Sequence, residues 1–133
     1  MEFLDQLTRK ATILAFIDAI NAHDVAALAE LMSDNHTFID AHGKEVSGRE
    51  QMLAGWRGYF EWFPDYKIEV TAVFEGPDAF ALCGYAGGSF KGNAEQSWRL
   101  PAAWKAVVSD GRVTLWQVFA DTKTPFEILE RNS

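Results

Sequence analysis

The sequence predicts an α+β domain in which a curved antiparallel sheet wraps around helices, giving a cone with an interior pocket. Three observations predict it. Helical periodicity is confined to the first half of the chain, at 11–32 and 49–63. Period-two alternation punctuated by turn residues fills 66–120. Gly84, Gly87 and Gly88 stand in and just after an otherwise apolar strand, where they permit sharp bending. Helices followed by a run of strands make a layered α+β domain, and a sheet bent at its glycines encloses the concave kind of site that small ligands occupy.

Each element has a local cause. Residues 11–20 carry Leu14, Ile17 and Ile20 at helical spacing, with Ile13 and Phe16 beside them. Asp24 caps a second helix that runs through Met32. Ser33-Asp34-Asn35 reads as a turn, and 36–43 as a short strand. A polar loop leads to Ser47-Gly48-Arg49-Glu50, which has the form of a capping box opening an aromatic-rich helix that Pro64 stops. The strands follow: 66–74, then 79–85 as an apolar, two-sided central strand, then 96–108 with Pro101 marking a bulge or an edge, then 113–120. Gly76-Pro77-Asp78, Gly92-Asn93 and Ser109-Asp110-Gly111 are the turns between them.

With 133 residues, 48% of them hydrophobic, the chain makes one domain able to bury its own core. A net charge of −7 argues against nucleic acid, and no basic amphipathic helix argues for a membrane surface. The first twenty residues mix acids and bases among short apolar runs, so neither a secretory signal nor a spanning helix is expected, and the location is expected to be cytoplasmic. Cys83 is the only cysteine, which rules out an intrachain disulfide; a buried strand position is expected for it.

The candidate chemistry lies on two strands. Alternation puts His36, Phe38, Asp40 and His42 on one face of the first. If that face looks inward, apolar walls would raise the Asp40 pKa and make it a usable acid or base; otherwise Asp40 is a rim residue capping a turn with Gly43. Alternation groups Asp121 with Gln117 and Phe119, and Asp121 is either a second inward acid or a turn residue bonded to the backbone of 122–124. His36 and His42 would stand about 20 Å apart on an extended strand, too far to share a metal, so no metal site is expected. Phe16, Trp56, Tyr59 and Phe60 are the aromatic candidates for a pocket wall, and Tyr59 or an indole N–H for a donor to a ligand. Trp98 and Trp104 divide between core and a dimer face. No glycine-rich phosphate loop or nucleophile elbow is present, and no cofactor is implied.

The motifs Ile20-Asn21-Ala22-His23-Asp24, Met32 to Asp40, Gly48-Arg49-Glu50, Gly111-Arg112-Val113 and Trp116 to Asp121, in this order, resemble the nuclear transport factor 2-like superfamily. Within it they resemble SnoaL-like polyketide cyclases and ketosteroid isomerase-like proteins. The resemblance implies a homodimer paired through the sheet, a general-base role for Asp40, and a proton-transfer role in ring closure for Asp121. It also puts Phe16 and Ala103 where the isomerase has its oxyanion donors, which argues against steroid isomerisation. The expected function is cofactor-free proton transfer on a small, largely apolar carbonyl-bearing or polycyclic molecule. The alternatives are a non-catalytic binding or scaffold domain, and water chemistry of the dehydratase or epoxide hydrolase type, in which His36, Asp40, Gln117 and Asp121 would gather around one water.

Overall fold

A computed structural model describes residues 2–133, with side chains from Leu7 onward. Helix α1 (Glu2–Ala22) is followed by α2 (Val25–Leu31), β1 (Met32–Ile39), β2 (Glu45–Ser47), α3 (Arg49–Trp62), β3 (Lys67–Glu75), β4 (Phe80–Ser89), β5 (Ser97–Ser109), β6 (Arg112–Ala120) and α4 (Lys123–Arg131). Two short 3₁₀ turns, Phe90–Gly92 and Ala94–Gln96, join β4 to β5. The strands form one curved, unclosed sheet in the order β2-β1-β6-β5-β4-β3; β1 runs parallel to β6 and every other pair is antiparallel.

The bend falls where the glycines predict it. The β3–β4 register shifts between Val70 and Ala72, opposite Gly84. A Cβ on Gly84 would stand 1.8 Å from the Glu69 carbonyl oxygen, so only glycine lets the two backbones approach this closely. Pro101 sits just before the β5–β6 ladder begins at Ala102, where β5 is locally an edge and a missing N–H costs nothing. Asp110 (φ 53°) and Gly111 (φ 74°) turn the last hairpin.

The concave face holds the core. Ile13, Phe16, Ile17 and Ile20 of α1 are buried together with Leu82 of β4, Trp98 and Trp104 of β5, and Trp116 of β6. Phe16 packs 5.0 Å from Trp116, and Trp104 stacks on Trp116 at 6.2 Å. Trp98 and Trp104 are therefore core residues and not a dimer face. At the end of α1, His23 takes φ 55° and its Nε2 lies 2.7 Å from the Tyr66 carbonyl, while its ring stacks on Phe60 at 4.0 Å. The Asn21 side chain bonds both the N–H and the carbonyl of Ile68, at 2.8 and 2.9 Å, and so substitutes for a strand on the free edge of β3.

Several local readings are corrected. Ser33-Asp34-Asn35 is an irregular stretch of β1, whose pairing with β6 slips between Met32 and Thr37, and not a turn. Part of the polar loop is β2, and Ser47 belongs to it: α3 is capped by Gly48 (φ 104°) with no side-chain bond, because Ser47 is committed to pairing with Thr37. Asp24 does cap α2, accepting from the Ala27 N–H at 3.0 Å. β4 is buried on one side only, and Cys83, on the other side, is exposed.

Candidate active site

A cavity of about 350 Å³ opens between α3, the inner face of β1 and β6, and α4. Phe38 and Trp116, paired in register on adjacent parallel strands, form its floor together with Val118. Met52, Gly55, Trp56 and Tyr59 come from α3, where a spacing of three and four residues puts them on one helical face. Tyr66 enters from the turn before β3. Asp40, His42, Thr122 and Phe126 form the rim. His42 Nε2 lies 3.1 Å from Thr122 Oγ1 and its ring meets Phe126 edge-on at 4.9 Å, so the β1–β2 loop and the last helix touch across the mouth.

Asp40 is half-buried and is the only carboxylate among the described residues lining the cavity. Its Oδ1 accepts the N–H groups of His42 (2.8 Å) and Lys44 (2.9 Å), which fixes the side chain in an Asx turn. No hydrogen bond from a described residue reaches Oδ2. The expected turn bonds are thus made by one oxygen, and the same residue borders the cavity.

The remaining predicted residues divide sharply. Phe38, Trp56 and Tyr59 line the cavity. Phe16 lies behind Trp116, and Phe60 stacks between Trp56 and His23; both are wall supports that do not reach the cavity. His36 is completely buried, on the same inward face of β1 as Phe38, and packs in the core beside Phe16. Its Nδ1 bonds the Val113 carbonyl at 2.7 Å, its Nε2 is buried without a partner, and burial holds its pKa below the ordinary histidine value.

Gln117, Phe119 and Asp121 lie away from the cavity. They share a face as alternation predicts, but it is the outer face, where Gln117 pairs with Lys105 and Phe119 is 50% exposed. Asp121 is exposed and accepts the Lys123 N–H at 3.1 Å, the turn role. His36, Asp40, Gln117 and Asp121 therefore do not gather around a common water. Arg99 pairs with Glu69 at 3.2 Å and stacks 4.0 Å over Tyr85, remote from either aspartate. Among the described residues no three His, Cys, Asp or Glu side chains converge as metal ligands, and no helix is long and apolar enough to cross a membrane.

Tyr66, Thr122 and Phe126 are among the lining residues that the sequence does not mark as candidates. Tyr66 was read as the start of a strand, whereas its N–H closes a turn onto Phe63 O at 3.0 Å. Thr122 and Phe126 belong to the last helix and its cap. A signal for that helix was available, since Pro125, Ile128 and Leu129 repeat at helical spacing.

The model of the SnoaL-like domain family matches residues 13–116. The chain belongs to this family. A search of curated protein sequences finds no match. Among solved structures, a candidate SnoaL-like polyketide cyclase from Jannaschia sp. CCS1 is similar at a TM-score of 0.79 and 22% identity, over 92% of this chain and 91% of that one. An LEH-like epoxide hydrolase of M. tuberculosis gives 0.78 and 15%, over 94% and 86%. A Catenulispora acidiphila protein of ketosteroid isomerase-like fold, solved with trimethylamine, gives 0.72 and 21%, over 81% and 83%. At these identities the likeness is one of fold, and neighbours of differing activity share that fold.

Proposed function

We propose that this SnoaL-like domain catalyses cofactor-free proton transfer, of the cyclase or isomerase kind, on a small, largely apolar molecule bearing a carbonyl group. One observation carries the reading: among the described residues a single carboxylate, Asp40, borders an otherwise largely apolar and aromatic cavity, and none of them hydrogen-bonds its second oxygen. A carboxylate held rigidly by its other oxygen is placed to take a proton from carbon next to a carbonyl and to return it elsewhere on the same molecule. Tyr59 is the neutral donor that polarises the carbonyl. Trp56 is excluded from that role because its indole N–H is sealed off from open space. Burial raises the Tyr59 pKa well above the usual phenol value, the Tyr66 phenol adds to the rise, and the hydroxyl stays protonated at neutral pH.

The test is deuterium uptake next to the carbonyl, in heavy water, across a panel of cyclic ketones and β-diketones, read by NMR. Exchange catalysed by the wild type should fall about 100-fold or more in Asp40→Asn. Undiminished exchange in that variant would sink the assignment. The second reading is a binding domain without turnover, favoured by the turn-forming bonds of Asp40; it predicts ligand uptake with no exchange. We further propose a homodimer formed through the outer sheet face, on which Phe74 (59% exposed) and Phe119 present apolar surface to solvent.

A further inference from the structure

Tyr59 and Tyr66 come from different elements, the last turns of α3 and the turn before β3, and line the same cavity. Their rings meet edge-on, with centroids 4.8 Å apart and planes at 88°. Neither phenol oxygen hydrogen-bonds to a described residue, and neither is sealed off from open space, although Tyr66 is only 8% exposed. A buried hydroxyl without a partner is costly, so two of them on residues lining one cavity suit an acceptor.

Both side chains are held firmly. Tyr59 packs against Trp62 and Phe63 as well as Tyr66, and Tyr66 lies against Trp98. The Tyr66 backbone is pinned on both sides, its N–H by Phe63 O and its carbonyl by the His23 ring. Tyr59 comes from α3, Tyr66 from the turn before β3 and Asp40 from the end of β1, so three separate elements supply the pair and the carboxylate to one cavity.

We propose that Tyr59 and Tyr66 together form a two-donor oxyanion site, in the same cavity as Asp40, that selects flat apolar ketones and enones whose oxygen gains negative charge during reaction. Among the described residues no Lys or Arg lines the cavity, so a permanent carboxylate would find no fixed counter-charge there. Neutral donors suit an oxygen whose charge appears only in the transition state. Asp40 removes a proton from carbon; the electron pair of that C–H bond forms the C=C bond of an enolate while the C=O π electrons move onto oxygen, which accepts a hydrogen bond from each phenol. Return of the proton from Asp40 to carbon restores the carbonyl. The phenols stay protonated throughout, because burial holds both pKa values above the ordinary tyrosine value.

The proposal rests on the proton-transfer reading, and its test needs no turnover. Asp40→Asn mimics the protonated base. In that background, 4-nitrophenolate stands for the enolate and nitrobenzene is the neutral control of similar shape. The phenolate should bind at least about tenfold more tightly than nitrobenzene. Tyr59→Phe and Tyr66→Phe should each weaken phenolate binding about 10- to 100-fold and leave nitrobenzene unchanged. A Tyr66→Phe variant that binds both probes like its parent overturns the two-donor site. If Tyr66→Phe loses nitrobenzene as well, the ionisation of 4-nitrophenol bound to the parent decides: a pKa below that of the free phenol supports the site, and an unchanged or higher one overturns it. Phenolate selectivity alongside undiminished deuterium exchange in Asp40→Asn would refute the base and leave the donor pair standing.

Discussion

His36 is neutral in the folded chain and should make stability depend on pH in a defined window. Its Nδ1 carries the proton donated to the Val113 carbonyl, and a second proton on Nε2 would be buried with nothing to receive it. The folded-state pKa therefore lies below 6.5, the value for the unfolded chain. For a group depressed in this sense, the stabilisation is complete above the unfolded pKa and is lost as pH falls through 6.5, because the unfolded state then binds the extra proton. With one proton at stake, moving from about pH 7 to about pH 5.5 should cost at most about 1.2 kcal/mol, or about 4 °C in Tm for a domain of this size. Urea unfolding followed by tryptophan fluorescence at the two pH values gives the number, and His36→Leu gives the control, since it removes the titrating group. The readout is the difference between the two proteins in what they lose on acidification, which cancels whatever else the substitution does. Equal losses in wild type and variant would refute the burial account of His36.

Other changes have equally direct outcomes. Gly84→Ala should cost about 3 kcal/mol or more in chemical denaturation, because its Cβ meets backbone and not a flexible side chain. Asn21→Ala should cost about 2–3 kcal/mol and speed amide exchange at Ile68, whose N–H and carbonyl both lose their partner. Phe119→Glu should convert the proposed dimer to monomer in sedimentation without altering the far-UV circular dichroism; an unchanged oligomeric state would refute that interface.

Periodicity made the three helices of the first half and the strands of the second legible, because each buries one face and so writes its period into the sequence. Glycine and proline punctuation placed the bend at Gly84 and the edge at Pro101. What periodicity does not carry is which face of a strand looks inward. Asp121, Gln117 and Phe119 were correctly grouped and wrongly directed: β6 bears bulky apolar residues on both faces, Trp116 within and Phe119 without, and the pattern alone is symmetric. In β1 the alternation holds but does not carry depth: His36 is sealed in the core while Asp40, on the same face, reaches the cavity rim. β2 is three residues long and two of them are exposed, too short and too wet to show a period. Tyr66 was hidden because its position depends on contacts with His23 and Tyr59, which are distant in sequence.

The family match ends at Trp116, yet part of the cavity mouth is built beyond it. Thr122 and Phe126 meet His42 from a terminal helix that carries none of the sheet's pairing. Phe38, Asp40 and Trp116 thus fall within the matched residues, while half of the entrance sits on a segment free to change sequence without disturbing a single strand. Variation among relatives in what is admitted should concentrate there, at the chain's end, and leave Phe38, Asp40 and Trp116 in place.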